Sequence, residues 1–467
     1  MKKYLLNILF IFPFFLQAQN KRGFLFNISE IPYSHLHIRK ITFSGNQVTK
    51  EKIIIREMSI QEKDSVQTKK LEEELIYNQE RILNLQLFST VNYQVNIVEK
   101  DSIDIHFTVT ELMYWIAKPM FSLADRNFNV WLKEQHLAFD RTNYGGEITR
   151  RNFRGRNEEI ITSIQLGYNK FFGFSYKIPY IDKNLKHGLG ISASYLTGRE
   201  VNYETQENKL LFYRNDQYPH LKLQGKLHYF YRRKYTTVHE IQLSYNHYEI
   251  TQGLFDKNPD YLEGKTKIKY FELAYIHQYN NTNVRVYPSK GLEIKTTIMK
   301  RGLGIDKDVN RFEIINQTSF FQPIWNNISA SFIFRGRYSS PQQQPYLFNR
   351  ALGFKNDFIR GYEYFVIDGS HFALLRANIR LRIIDQIVHH NLFKISKYIP
   401  IRVYGKIYND IGYVYNKYPE TSFLNNKLLD GYGAGFDILV SYYLKFRIEY
   451  SFNHLNQKGL FLHGSKE

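Results

Sequence analysis

Ile401-Arg402-Val403-Tyr404-Gly405-Lys406-Ile407 is the stretch whose reading decides the fold. Successive side chains of an extended strand point to opposite sides. Ile401, Val403, Gly405 and Ile407 therefore share one face, and Arg402, Tyr404 and Lys406 share the other. Leu375, Ala377, Ile379 and Leu381 oppose Arg376, Asn378, Arg380 and Arg382 in the same way. Two large β architectures produce this pattern. A soluble sandwich turns the apolar face inward, whereas a membrane barrel turns it to lipid and encloses a polar lumen. A single strand fits either, so the rest of the chain must choose.

The chain has 467 residues, 37 Tyr, 36 Phe, no Cys and a formal net charge of +19. The absence of Cys excludes a disulfide framework, a thiolate metal site and lipidation on an N-terminal Cys. Lys2 and Lys3, the apolar run Tyr4–Leu16 and Gln17-Ala18-Gln19 read as a secretory signal peptide over 1–19, followed by a polar leader over 20–34. The apolar run is too short for a membrane-spanning helix, and no later segment approaches about 18 consecutive apolar residues. Without Lys2 and Lys3 the charge is still +17. An exported chain does not meet chromosomal nucleic acid, so this charge suits an anionic membrane surface or a polar lumen. Export, the lack of Cys and aromatics near strand ends favour the barrel, whose interfacial girdles use Tyr and Phe.

Residues 35–112 read as a compact α+β module of order β-α-α-β-β. Ile38, Ile41 and Phe43 occupy a strand that ends at the turn Ser44-Gly45-Asn46. A first helix opens at Thr49-Lys50-Glu51 and runs to Met58. A second runs from about Thr68 to Leu87, with Leu71, Leu75, Ile82 and the Leu83/Leu87 pair inward and Glu72, Glu73, Glu74 and Arg81 on the solvated side. Val91–Ile97 and Ile103–Val109 alternate cleanly around the hairpin turn Glu99–Ser102.

From Met113 onward, alternating segments follow one another without a long helix: Ile160–Asn169, Gly188–Leu196, Leu221–Arg232, His239–Ile250, Thr266–Tyr279, Leu292–Met299, Phe312–Gln322 and Ile328–Tyr338, then Phe372–Ile384, Ile401–Val414, Gly431–Val440, Lys445–Phe452 and Gly459–His463. With weaker candidates at 115–123, 171–180 and 206–214, about 16 strands are expected, an even number as transmembrane barrels prefer. Between Ser339 and Ser370 the pattern stops, broken by Pro341, Pro345, Gly353, Gly361 and Gly369. A loop of that length is usually functional. Within it Asp357-Phe358-Ile359-Arg360-Gly361-Tyr362 reads as a loop that folds back, packs its aromatics and presents one fixed cation.

These motifs carry a family resemblance. Phe43-Ser44-Gly45-Asn46, Asn84-Leu85-Gln86-Leu87-Phe88-Ser89 and the closing Val109-Thr110-Glu111 make 38–111 similar to a POTRA domain, although Gln86 stands where Gly is common. That module followed by about 16 strands, with Ile359-Arg360-Gly361-Tyr362 before strand 12, resembles the BamA/TamA superfamily with its bacterial-surface-antigen-type barrel. The resemblance implies an all-β transmembrane barrel over 113–467 in the cell outer membrane, with the α+β POTRA domain in the periplasm. It implies that the 339–370 loop enters the lumen and that Arg360 pairs with Asp410 of Tyr408-Asn409-Asp410. Many relatives carry an acid on strand 12, where this chain has Arg380. The brief last strand Gly459-Leu460-Phe461-Leu462-His463, before a polar tail, resembles one side of a lateral seam. Implied partners are unfolded outer-membrane or secreted polypeptide clients, outer-membrane lipid and periplasmic accessory proteins. A single module suggests a specialised export relative.

Enzymatic signals are thin. The sequence has no G-x-S-x-G elbow, no H-E-x-x-H and no phosphate-binding Gly loop. Adjacent His389 and His390 would point to opposite faces of a strand, so no metal is expected there. Neither a catalytic residue nor a cofactor is expected. The alternatives kept open are a passive outer-membrane pore and, less favoured, a barrel enzyme.

Overall fold

The computed structural model describes residues 32–465, apart from 100, 124–130, 132–135, 137, 307, 355–356, 390–397 and 441–443. The signal-peptide segment 1–19 and His390 lie outside the described residues. Four strands form the N-terminal sheet: β1 (His35–Ser44), β2 (Ser65–Gln67), β3 (Phe88–Glu99) and β4 (Ser102–Glu111), in the order β2-β1-β4-β3. β1 runs parallel to β4, which puts Ile41 beside Ile105 and Phe43 beside Phe107. Helices α1 (Glu51–Ile55) and α2 (Leu71–Leu83) cover the sheet. Ile53, Ile54, Leu71, Leu75 and Ile82 are fully buried in one core with Val95, Ile105 and Phe107. Glu72, Glu73 and Glu74 sit in the first turn of α2, where the helix dipole favours negative charge.

Two sequence expectations change here. The three-residue β2 was too short to show alternation, so the module's order gains a strand. Arg81, expected on the solvated side of α2, is only 5 % exposed. Gln86 adopts a left-handed φ of 57°.

Sixteen of the remaining twenty strands build one antiparallel sheet. Its first five strands are β5 (Trp115–Leu123), β6 (Thr142–Phe153), β7 (Glu158–Gly167), β8 (Asn169–Ile178) and β9 (His187–Gly198). A separate hairpin, β10 (Glu200–Gln206) and β11 (Lys209–Arg214), then intervenes. The sheet resumes with β12 (His220–Lys234), β13 (Thr237–Ile250), β14 (Lys267–Asn280), β15 (Gly291–Arg301), β16 (Arg311–Trp325) and β17 (Ile328–Ser340). Inside the long loop a small ladder pairs β18 (Arg350–Leu352) with β19 (Ile367–Asp368). The sheet closes its order with β20 (His371–His389), β21 (Tyr398–Tyr415), β22 (Leu428–Val440), β23 (Leu444–Asn453) and β24 (Lys458–Ser465).

The count of sixteen holds, but its membership differs from the sequence reading. Segment 206–214 is not a barrel strand; it belongs to the β10–β11 hairpin, whose short alternation mimics one. β6 takes its place. Its Gly145-Gly146 and Arg150-Arg151 interrupt the apolar alternation that would have revealed it. The last strand also extends to Ser465, pairing with β23 from Lys458 onward, so Gly464 and Ser465 are not tail.

Burial settles which architecture the alternation belongs to. Leu227 is 58 % exposed, Ile407 57 % and Leu460 55 %, whereas Ser331, Ser451, Asp410 and Glu449 are buried. Apolar out and polar in is the membrane-barrel pattern. No described helix is long and apolar enough to cross a membrane; the strands do so. Because the chain has no Cys, single replacements can test this directly. A fluorophore on Leu227→Cys or Ile407→Cys should be quenched by brominated lipid in proteoliposomes, and one on Ser331→Cys or Ser451→Cys should not. Equal quenching at all four would contradict the inside-out wall.

Candidate functional site: the lumen loop and the docked module

The loop 339–370 turns into the lumen and carries its own apolar packing. Ile359, Tyr362, Phe365 and Ile367 join Phe372, Leu374, Val414 and Leu429 in one buried cluster, so the loop's aromatics anchor it to β20, β21 and β22. Gly361 sits at φ 93°, and a Cβ there would come within 2.7 Å of the Phe452 carbonyl oxygen. Gly431 on β22 is required for the same approach: its Cβ would meet the Arg360 carbonyl oxygen at 1.9 Å.

This placement brings Arg360 and Asp410 together. Arg360 Nε donates to Asp410 Oδ2 at 2.9 Å and Nη2 to Oδ1 at 2.5 Å, a bidentate fork. The Arg360 backbone N–H adds a third bond to Oδ2 at 3.0 Å. The guanidinium lies over the Tyr408 ring at 3.8 Å, and Nη1 donates to Asn378 at 2.8 Å. Asp410 is fully buried and Arg360 is 5 % exposed. Tyr408 is held in turn by its hydroxyl contact with Ser451 at 2.7 Å.

Three acids around this pair escaped the sequence reading. Glu449 on β23 lies 3.6 Å from Arg360 and 2.6 Å from Lys406, while Lys406 also meets Asp437 at 2.5 Å. Glu363 accepts from the Gly361 N–H at 2.8 Å. Glu449 was findable: in Lys445-Phe446-Arg447-Ile448-Glu449 the charges fall on the face opposite Phe446 and Ile448. Arg380 also faces the lumen, over the ring of Tyr287 at 4.6 Å.

The expected seam residues divide between lipid and loop. Leu460 and Leu462 are exposed on the outer face, and Phe461 is buried against Tyr364 at 5.6 Å. His463 stacks on Phe358 at 5.1 Å and lies 3.4 Å from Glu449. Gly459 pairs with Ser451 of β23. Among the described residues no group of three or more His, Cys, Asp or Glu could hold a metal ion.

A second buried cluster ties the N-terminal module to the barrel turns. Arg232 at the end of β12 forks onto Glu57, with Nη2 to Oε2 at 2.6 Å. Arg81 lies 3.3 Å from the same carboxylate and 4.1 Å from the Tyr235 ring, which explains its burial. Burial alone would raise the Glu57 carboxyl; the charge and hydrogen bonds of Arg232, with Arg81 beside it, outweigh this and hold it below the usual range. The cluster therefore stays ionised at neutral pH, and its contribution is lost only as pH falls through that lowered value. Asn84 adds two bonds to the turn between β14 and β15, to Asn283 and Arg285, each at 3.1 Å.

Sequence comparison matches residues 36–112 to the POTRA family, described as surface antigen variable number repeat, and residues 152–459 to the Omp85 superfamily domain. The chain belongs to the Omp85 superfamily. Two solved structures share its fold. BamA from Haemophilus ducreyi, lacking POTRA domains 1–3, is 16 % identical over 92 % of this chain and 85 % of its own, with a TM-score of 0.53. CdiB from Escherichia coli is 11 % identical over 92 % of this chain and 75 % of its own, with a TM-score of 0.54. None of the curated proteins matches the sequence. As an Omp85 protein the chain is an outer-membrane barrel of the polypeptide assembly and translocation class.

The fork defines a measurable energy. Arg360→Ala takes the bidentate partner from the buried Asp410, leaving it the backbone N–H and Arg376 at 3.7 Å, and should cost about 3 kcal/mol. Arg360→Lys should recover only part of this, since an ammonium cannot make the fork. Denaturant unfolding in detergent micelles reads both; an Arg360→Ala protein as stable as wild type would contradict the assignment.

Proposed function

We propose that this Omp85 barrel inserts polypeptide clients into the outer membrane or exports them across it, with its POTRA domain receiving them on the periplasmic side. The observation that carries this reading is the Arg360–Asp410 fork, which ties a whole loop into the lumen. In this reading the fork holds the barrel shut until a client engages. A passive pore, the other reading, would want that lumen open.

The POTRA sheet offers the client an edge. β4 lies between β1 and β3 and is closed on both sides, so client strands pair elsewhere. β3 is the last strand of its sheet, and Asn92, Gln94 and Asn96 along it are exposed. An edge with unpaired backbone groups captures extended peptides largely whatever their sequence. The exit proposed is between β24 and β5, the two ends of the sixteen-stranded sheet. At 8 and 9 residues these are short beside the 19 of β20, so a seam between them has fewer hydrogen bonds to break. Client folding supplies the driving force, because strand pairing and lipid burial are downhill. No chemical step and no cofactor are needed. Outer-membrane lipid and periplasmic accessory proteins complete the proposed partners.

Depletion of the protein followed by quantitative proteomics of the outer membrane tests the reading. Broad loss of other barrels identifies a general insertase, and loss of one or a few surface proteins identifies a dedicated exporter. An unchanged proteome with altered small-solute uptake would overturn both in favour of the pore.

A further inference from the structure

Two segments enter the lumen from opposite ends and leave a chamber between them. One is the 339–370 loop. The other is the turn 281–290 between β14 and β15, whose Tyr287 ring lies 4.4 Å from that of Tyr404 and whose hydroxyl donates to Asp437 at 2.6 Å. The cavity they enclose is about 450 Å³, the size of a small-ligand site. Eight Arg and Lys side chains line it against three acids, Glu293, Asp357 and Asp437.

Several of these cations are already matched. Arg335 pairs with Asp357, Arg360 with Asp410, and Lys406 with Asp437 and Glu449. Among the described residues, Arg285 and Arg380 have no carboxylate within 4.0 Å. Arg380 lies on β20 and lines the chamber. It is 5 % exposed, lies against the rings of Tyr287 and Phe321, and donates Nη2 to the Pro288 carbonyl at 2.6 Å. Its Nε has no hydrogen-bond partner. A guanidinium held out of bulk water without a counter-charge is unfavourable until an anion reaches it.

The chamber also has a direction. Arg285 and Glu293 also line a second cavity of about 480 Å³, which Leu85-Gln86-Leu87 of the POTRA domain line as well. The two cavities therefore adjoin at Arg285 and Glu293, and the outer one reaches the POTRA domain. Phe321, Ile333, Phe358 and Leu374 give the inner chamber an apolar wall beside its cations. A bare phosphoryl group would use the guanidinium groups alone, whereas a peptide uses both surfaces.

We propose that this chamber binds an acidic polypeptide segment arriving from the POTRA side, with Arg285 and Arg380 pairing its carboxylates. The proposal rests on the polypeptide-handling reading above and narrows its substrate class. The test uses the full chain in nanodiscs and two fluorescent decapeptides, one alternating Asp with Leu and one alternating Asn with Leu, read by anisotropy. The Asp peptide should bind at least about tenfold tighter, and rising salt should weaken it. Arg285→Gln and Arg380→Gln should each weaken it by about tenfold, while Lys209→Gln, exposed on β11 away from the chamber, should not. Arg285 lies on a solvent-accessible turn, so its variant keeps the test valid if Arg380→Gln fails to fold.

Equal binding of the two peptides, or an Asp-peptide affinity unchanged in both variants, would overturn the proposal. So would binding of pyrophosphate with no binding of either peptide, which would mark a small-anion site. Loss of peptide binding in a protein whose depletion still alters the outer-membrane proteome sinks the chamber alone. Peptide binding without any proteome change sinks the client reading and leaves the chamber as an acidic-peptide site.

Discussion

The structure depends on one constraint: a barrel with an apolar exterior must put its charges inside, and those charges must then find one another. Arg360 and Asp410 are the strongest case. A guanidinium brought in on a loop makes two hydrogen bonds to a carboxylate on β21 that is closed to solvent, and the Arg360 backbone N–H makes a third. Either charge alone would be costly in that position. Together they make the loop's inward position the one that satisfies both, and Gly361 and Gly431 remove the side chains that would keep its backbone away.

The same rule operates where the POTRA domain meets the barrel. Glu57, Arg232 and Arg81 form a buried ionic group across the two domains, closed over by Tyr180 and Tyr235. Tyr180 and Leu185 of the barrel add apolar packing against the domain's core. The ionic contact is directional, and it positions Leu85-Gln86-Leu87 along the wall of the outer cavity. Arg232 of this group lines that cavity, and Arg360 lines the adjoining chamber.

Much of this was legible in the sequence, and the failures have physical causes. Strands such as β12, β13 and β20 announce themselves because lipid on one side and a polar lumen on the other force strict alternation. β6 does not, because Gly145-Gly146 and Arg150-Arg151 erase the contrast between faces. The β10–β11 hairpin misleads because a short two-stranded ribbon alternates as a wall strand does. Arg360 and Asp410 were singled out by a loop motif and a lone acid in a basic strand. Glu449 was equally readable from its alternation and was passed over. Arg232 and Glu57 lie 175 positions apart, and nothing local in either segment announces their pairing. Helical spacing therefore placed Arg81 on the wrong side, since periodicity cannot see a docking surface contributed by another domain.

The central claim is that the Arg360–Asp410 fork keeps the lumen loop in place. Single-channel conductance in planar bilayers tests it most directly, comparing wild type with Asp410→Asn. The account predicts a small, steady wild-type conductance and a severalfold larger, fluctuating one when the carboxylate is neutralised. Indistinguishable traces, from a variant shown to be folded, would contradict it.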